Sequence, residues 1–192
     1  MLYLVEYADW DSQAKIGRGG GNSSIVNNGA SDNMTYHTGT MQADRTTKGA
    51  GCQYRHIEDW WGNVYDWVDG IVLRTGSSAN IYCFKNPANF RDDDSGATLV
   101  GERTTSSGVI TAWNEPTVQG FEYALYPINV GGTDSTYVTD RTANSSASGS
   151  NFALCVGQGP YNYTDEGAFM LKGNYLYNYS SSVLGCRLMK LP

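Results

Sequence analysis

Four cysteines and two histidines are the residues from which nucleophilic or metal chemistry would have to be built: Cys52, Cys83, Cys155, Cys186, His37 and His56. No two of the cysteines form a C-x-x-C pair, and neither histidine stands at zinc-ligand spacing from any of them. Cys52 and His56 lie close in the chain, and a reactive thiol needs such a basic neighbour to lower its pKa. The pair reads instead as a core cysteine beside a surface histidine. No serine sits in a G-x-S-x-G elbow. The even cysteine count permits two disulfides, but a chain of 192 residues can fold on burial alone. No positively charged start followed by an apolar run marks a secretion signal. Free, mostly buried thiols are therefore expected.

Carboxylates give little more. "RDDD" at 91–94 holds three adjacent acids without the alternating ligand order of a calcium loop, so a solvated loop is expected. "WNEP" at 113–116 has the wrong residue order for the Glu-Pro-Asn motif of calcium-dependent sugar binders. N-x-S/T triplets at Asn22, Asn33, Asn144, Asn162 and Asn178 are chance matches in a chain this rich in Asn, Ser and Thr.

The segment from Gln158 to Tyr179 is different. It carries Tyr161, Tyr163, Tyr175, Tyr177 and Tyr179, interleaved with Asn162, Asp165, Glu166, Lys172 and Asn174. Tyrosine offers a large rigid contact area at low entropic cost, and asparagine adapts its hydrogen bonds. This is the composition of a binding surface. A strand whose alternate tyrosines pack inward would give the same spacing.

These residues need elements to position them. Leu2 to Ile16 reads as a helix stopped by Gly17, and "GRGGGNSSIVNNGASDN" as a surface loop or hairpin. Gln53 to Leu73, "QYRHIEDWWGNVYDWVDGIVL", is the most apolar and aromatic stretch, with a turn at Gly62-Asn63 and a strand after it. "ANIYCF", "ATLVGE", "SGVITAW", "YALYPINV", "FALCVG", "GAFML" and "LGCRLMKL" are strand candidates, and "NSSASGS" at 144–150 a loop. One domain, 1–192, mostly β with one or two helices, is expected. The totals exclude other classes. A net charge of −6 with no basic run argues against nucleic-acid binding. No apolar stretch approaches the roughly 20 residues that span a bilayer, so no membrane insertion is expected.

"WGNVYDWVDG" at 61–70 resembles the "WGNVWEWV" signature of the formylglycine-generating-enzyme and sulfatase-modifying superfamily, whose fold is C-type-lectin-like. "VEYA" at 5–8 resembles its "WEYAAR" helix, and "GCRL" at 185–188 its closing "GFR" strand. "YRHIEDWWGNVYDWVDGI", "VGQG…EGAF" and "SSSVLGCRLMKL" are similar, over nearly the whole chain, to the variable proteins of diversity-generating retroelements, above all those of phages of gut bacteria.

The resemblance implies an α+β, C-type-lectin-like fold of short irregular strands, loops and one or two helices, displaying a diversified segment within 152–192 ahead of the closing strand. It places ligand contacts at Gln158, Tyr161, Asn162, Tyr163, Asp165, Lys172, Asn174, Tyr175, Tyr177 and Tyr179. It puts Trp61, Asn63, Trp67, Asp69, Gly157, Gly167, Phe169, Gly185 and Arg187 on the frame, with Arg187 buried and paired to Asp66 or Asp69. It implies attachment of a phage tail tip to a bacterial surface protein or glycan, as a homo-oligomer or part of a larger tail assembly, with no cofactor and no metal. Display on a bacterial cell surface is the alternative location. Because the match begins almost at Met1, the chain is expected to be a C-terminal part of a longer protein.

Two other functions stay open: a sulfatase-modifying-type oxidase and a purely structural tail module. The oxidase members carry a cysteine pair just before the final strand. Lys172 to Leu184 holds no cysteine here, so no enzymatic activity is expected.

Overall fold

The computed structural model describes residues 61–133, 140–157, 159 and 170–185, with Ile25 and the short strands at 53–54 and 57–58. The expected helix at 2–16 lies outside them, as do Cys52, His37, Cys186 and Arg187.

Eleven strands are described: β1 Gln53–Tyr54, β2 Ile57–Glu58, β3 Tyr65–Thr75, β4 Ala79–Cys83, β5 Thr98–Glu102, β6 Gly108–Trp113, β7 Pro127–Val130, β8 Arg141–Asn144, β9 Ser150–Val156, β10 Leu171–Leu176 and β11 Leu184–Gly185. β1 and β2 pair only with each other. The rest form one sheet in the order β5-β4-β3-β9-β10-β8-β6-β7, with β11 added beside β3. Most pairs are antiparallel, while β10 runs parallel to β8 and β11 parallel to β3. The sole helical turn among the described residues is the short 3-10 piece Pro87–Asn89.

This corrects the α+β, C-type-lectin-like expectation: the described chain is nearly all β, a curled mixed sheet forming half a barrel. The physical reason lies in composition. The described part is built from β-branched and aromatic runs cut every few residues by Gly, Asn, Asp and Ser, which suits short strands and tight connections.

The curl brings the two ends of the sheet together. Just past β5, the Thr104 amide donates to the Pro127 carbonyl of β7 at 2.9 Å. Inside the curl lie Leu73, Ile81, Cys83, Val100, Phe152 and Leu154, joined by Phe121, Ala124 and Tyr126 from the β6–β7 connection. Asn114 closes the neck of that connection, its amide donating to the Ala124 carbonyl at 3.0 Å while its Oδ1 accepts from the Tyr126 amide. "WNEP" thus supplies a structural clasp.

β9 shows four successive buried residues, Phe152 to Cys155, which marks a central strand covered on both faces. β3, beside it, makes an irregular step. Val68 pairs with Leu154 and Val72 with Ala153, leaving Asp69, Gly70 and Ile71 as extra residues. Gly70 adopts φ 81° there, and a Cβ on it would collide with the Phe90 ring. Only glycine satisfies both conditions.

Candidate functional site

The outer face of the sheet is set by one row of paired residues: Trp67 on β3, Cys155 on β9, Lys172 on β10 and Ala143 on β8. Period-two alternation keeps these side chains together, opposite the inner core. Around them Tyr65, Cys155 and Met170 form a second buried cluster, flanked by Trp67, Tyr175, Val183 and Leu184.

From this cluster a column of rings leads outward. Tyr65 is fully buried. Lys172, 9% exposed, lays its Nζ 4.1 Å from the centre of the Tyr65 ring and 4.6 Å from that of Tyr175. An ammonium so placed is attracted by the negative ring faces. Tyr175 meets Tyr65 edge-on at 6.4 Å and Trp67 at a tilt, also at 6.4 Å. Tyr179 stacks on Tyr175 with centroids 4.6 Å apart and planes 6° from parallel, and it is 46% exposed. A turn sets this up: the Tyr179 amide donates to the Leu176 carbonyl, folding the chain back so that residues four apart bring their rings together.

The tyrosines at every second position therefore do different things. Tyr177 does not join the column. Its hydroxyl donates to the Ile71 carbonyl at 2.8 Å, fixing the end of β10 to the irregular part of β3. Burial raises its pKa, and Asp69 and Asp92 nearby raise it further. Asn174 and Asn178 are exposed, and neither side-chain amide has a hydrogen-bond partner among the described residues. Of the residues named from the sequence as ligand contacts, the structure thus gathers Lys172, Tyr175 and Tyr179 into one column, keeps Asn174 at the surface, and uses Tyr177 as a tie. Gln158, Tyr161, Asn162, Tyr163 and Asp165 lie outside the described residues.

Of the frame residues, Trp61, Asn63 and Gly157 are buried, Trp67 and Gly185 are half-buried, and Asp69 is exposed with its Oδ1 accepting from the Gly70 amide at 2.8 Å. Gly167, Phe169 and Arg187 are outside the described part, so the expected pairing of Arg187 falls there too.

The described thiols are Cys83 and Cys155, both free and buried. Burial pushes Cys83 up to about 11. It pushes Cys155 up to about 12, with Lys172 pulling the other way and Asp66 adding to the rise. Both are protonated at neutral pH and poor nucleophiles. In the "RDDD" loop, Asp94 pairs with Arg74, and Asp93 Oδ1 accepts from the Ser95 amide at 2.9 Å. No cluster of three His, Cys, Asp or Glu able to hold a metal occurs among the described residues.

Sequence reasoning missed a second charged centre, Arg103, 5% exposed at the closing end of the curl. Its Nη2 donates to Thr75 Oγ1 at 2.6 Å and to the Ser145 carbonyl at 3.4 Å. Its Nη1 reaches the Thr104 carbonyl at 3.1 Å and Asn144 Oδ1 at 3.4 Å. Asn144 Oδ1 also accepts from the Tyr126 hydroxyl at 2.6 Å, and its amide donates to Ser106 O and Thr142 Oγ1. Burial pushes Tyr126 up to about 12, against the opposing pull of Arg103 and of a hydrogen bond with Thr142. The signal in the sequence was a single arginine after an apolar strand, which by itself does not separate a buried cation from an exposed one.

Comparison with protein-family profiles, with curated proteins and with solved structures finds no match.

Proposed function

We propose that this chain is a non-enzymatic recognition module that binds a bacterial surface ligand through its C-terminal aromatic segment, as a phage attachment protein of the retroelement-diversified kind. The observation that carries this reading is the Tyr175–Tyr179 stack: a ring held out to water on a base that cannot easily move. Pre-organised aromatic anchors lose little entropy on binding, which is what a recognition surface needs. The protonated, buried state of Cys83 and Cys155 supports the non-catalytic part of the reading. Several copies on one particle would raise weak single-site affinity through avidity.

The test separates binding from folding. Tyr179→Ala removes the exposed ring and leaves the buried part of the column in place. It should abolish adsorption of the labelled chain to its bacterial host while moving the melting temperature by no more than about 2 °C, as surface changes do. Tyr175→Ala should reduce both. Adsorption unchanged in both variants would sink the proposal. The retroelement part has its own check in the neighbouring DNA, where a near-copy of the segment's coding sequence should stand beside a reverse-transcriptase gene.

A further inference from the structure

We infer that Asp69 is a site of spontaneous covalent modification: in the folded chain its side-chain carboxyl closes onto the Gly70 nitrogen to form a succinimide, and the ring reopens partly as isoaspartate. This stands apart from the recognition reading above.

Asp69-Gly70 is the one Asp-Gly pair in the chain. Ring closure needs an accessible carboxyl, a following nitrogen free of the sheet ladder, and no side chain on that following residue to hinder attack. Folded strands ordinarily withhold the second. Here all three are met. Asp69 is exposed. Gly70 has no partner in either flanking register: the pairing with β9 passes from Val68 to Val72, and that with β4 begins at Ile71. The Gly70 amide donates instead to Asp69 Oδ1 at 2.8 Å. That contact keeps the carboxyl group against the attacking nitrogen, and reacting atoms ~3–3.5 Å apart are at near-attack distance. The other described aspartates lack the combination. Asp94, before Ser95, is engaged by Arg74, and Asp140, before Arg141, is buried. Asp66, Asp92 and Asp93 precede bulkier residues.

The step balances with water alone. The bond between the Gly70 nitrogen and Asp69 Cγ forms and a carboxyl C–O bond breaks. That oxygen leaves as water, taking the acid proton and the amide proton. Water then opens the ring at Cγ, restoring Asp69, or at the main-chain carbonyl carbon, giving isoaspartate. The second product runs the backbone through Cβ and Cγ and so adds one methylene at the irregular step of β3. The addition falls just ahead of the Gly70 carbonyl, which accepts from the Phe84 amide, and the Ile71 carbonyl, which accepts from Tyr177.

The experiment keeps the full chain at pH 7.4 and 37 °C in water enriched in oxygen-18, beside a free peptide of residues 66–74. Each closure and opening leaves a heavy oxygen at the site, which mass spectrometry of the proteolytic fragment reads, with fragment ions separating isoaspartate from aspartate. The folded chain should label at position 69 within about threefold of the peptide rate. Reaction only through global unfolding would be slower by about a thousandfold or more. Asp69→Glu, whose longer side chain forms no five-membered ring, should stay unlabelled in that fragment. Labelling of the folded chain more than about threefold slower than the peptide, or equal labelling of the fragment in Asp69→Glu, would overturn the assignment.

Discussion

Arg103 and Lys172 are two buried cations in one small domain, and they sit in different surroundings. Arg103 sits inside the curl, where its fork reaches one hydroxyl, one side-chain amide oxygen and two backbone carbonyls. It also lies 5.9 Å from the Phe152 ring. No carboxylate is among these partners, and burial lowers its pKa. Lys172 sits on the outer face, with its ammonium against two ring faces. The contrast follows from shape. A planar guanidinium with five fixed donors can tie together several segments, and here it links the ends of β3, β5 and β8. A compact ammonium can rest against two ring faces at once, and there it serves as the footing of a surface feature. One cation closes the frame; the other supports what the frame displays.

The largest expected effect comes from a residue that touches both regions. Gly173 follows Lys172 in β10 but faces the Arg103 side. A Cβ there would collide with Leu73 Cδ1 and lie 2.7 Å from the Tyr126 hydroxyl and 3.1 Å from Asn144 Oδ1. Gly173→Ala should therefore cost about 3 kcal/mol, read from urea unfolding. A loss under about 1 kcal/mol would show that the two regions are not tightly backed against each other.

Next comes the pair of neutral replacements. Arg103→Met strands the Thr104 carbonyl and one side of the Asn144 and Thr75 network, and should cost about 2–3 kcal/mol. Lys172→Met takes the ammonium off the two ring faces and should cost about 1–2 kcal/mol. The reverse order of these costs in urea melts would break the comparison.

The smallest effect is nil at neutral pH and appears only in alkali. Cys83 and Cys155 titrate in the folded state at about 11 and about 12, above the ordinary thiol value of 9.0. Below that ordinary value both folded and unfolded thiols are protonated, and the stability each contributes is fully present. As pH rises past 9.0 the unfolded thiols ionise first, so stability is lost progressively until the folded values are reached. Replacing either cysteine with Ala should flatten this alkaline limb. Cys155→Ala should flatten it over the wider range, as the more strongly perturbed thiol. Equal limbs for wild type and both variants would contradict the burial of these groups.

Much of the sheet was legible residue by residue. "ANIYCF", "ATLVGE" and "SGVITAW" each contain an observed strand, and "FALCVG" covers most of β9, because their apolar alternation and turn residues are local signals. β8 and most of β10 were not read as strands. "RTAN" and "LKGNYL" carry Asn and Gly, which locally disfavour strands, and they pair because β9 and each other are in place. The family resemblance pointed to helices, whereas the described chain has none beyond one short turn. At the candidate site, the tyrosine spacing flagged the right segment. It did not divide the rings, since whether a hydroxyl meets Ile71 depends on the irregular step in β3, far away in sequence. Arg103 was invisible for the same reason: apart from the neighbouring Thr104, its hydrogen-bond partners come from Thr75 and from Asn144 and Ser145, far away in the chain.

The single hydrogen bond from Thr104 to Pro127 has a consequence for crowding. A flat sheet of this length would offer two raw edges to any neighbour, inviting strand-by-strand zippering between copies. Here those edges are bent toward one another and tied at one point, so less open backbone faces a neighbouring copy at high local density.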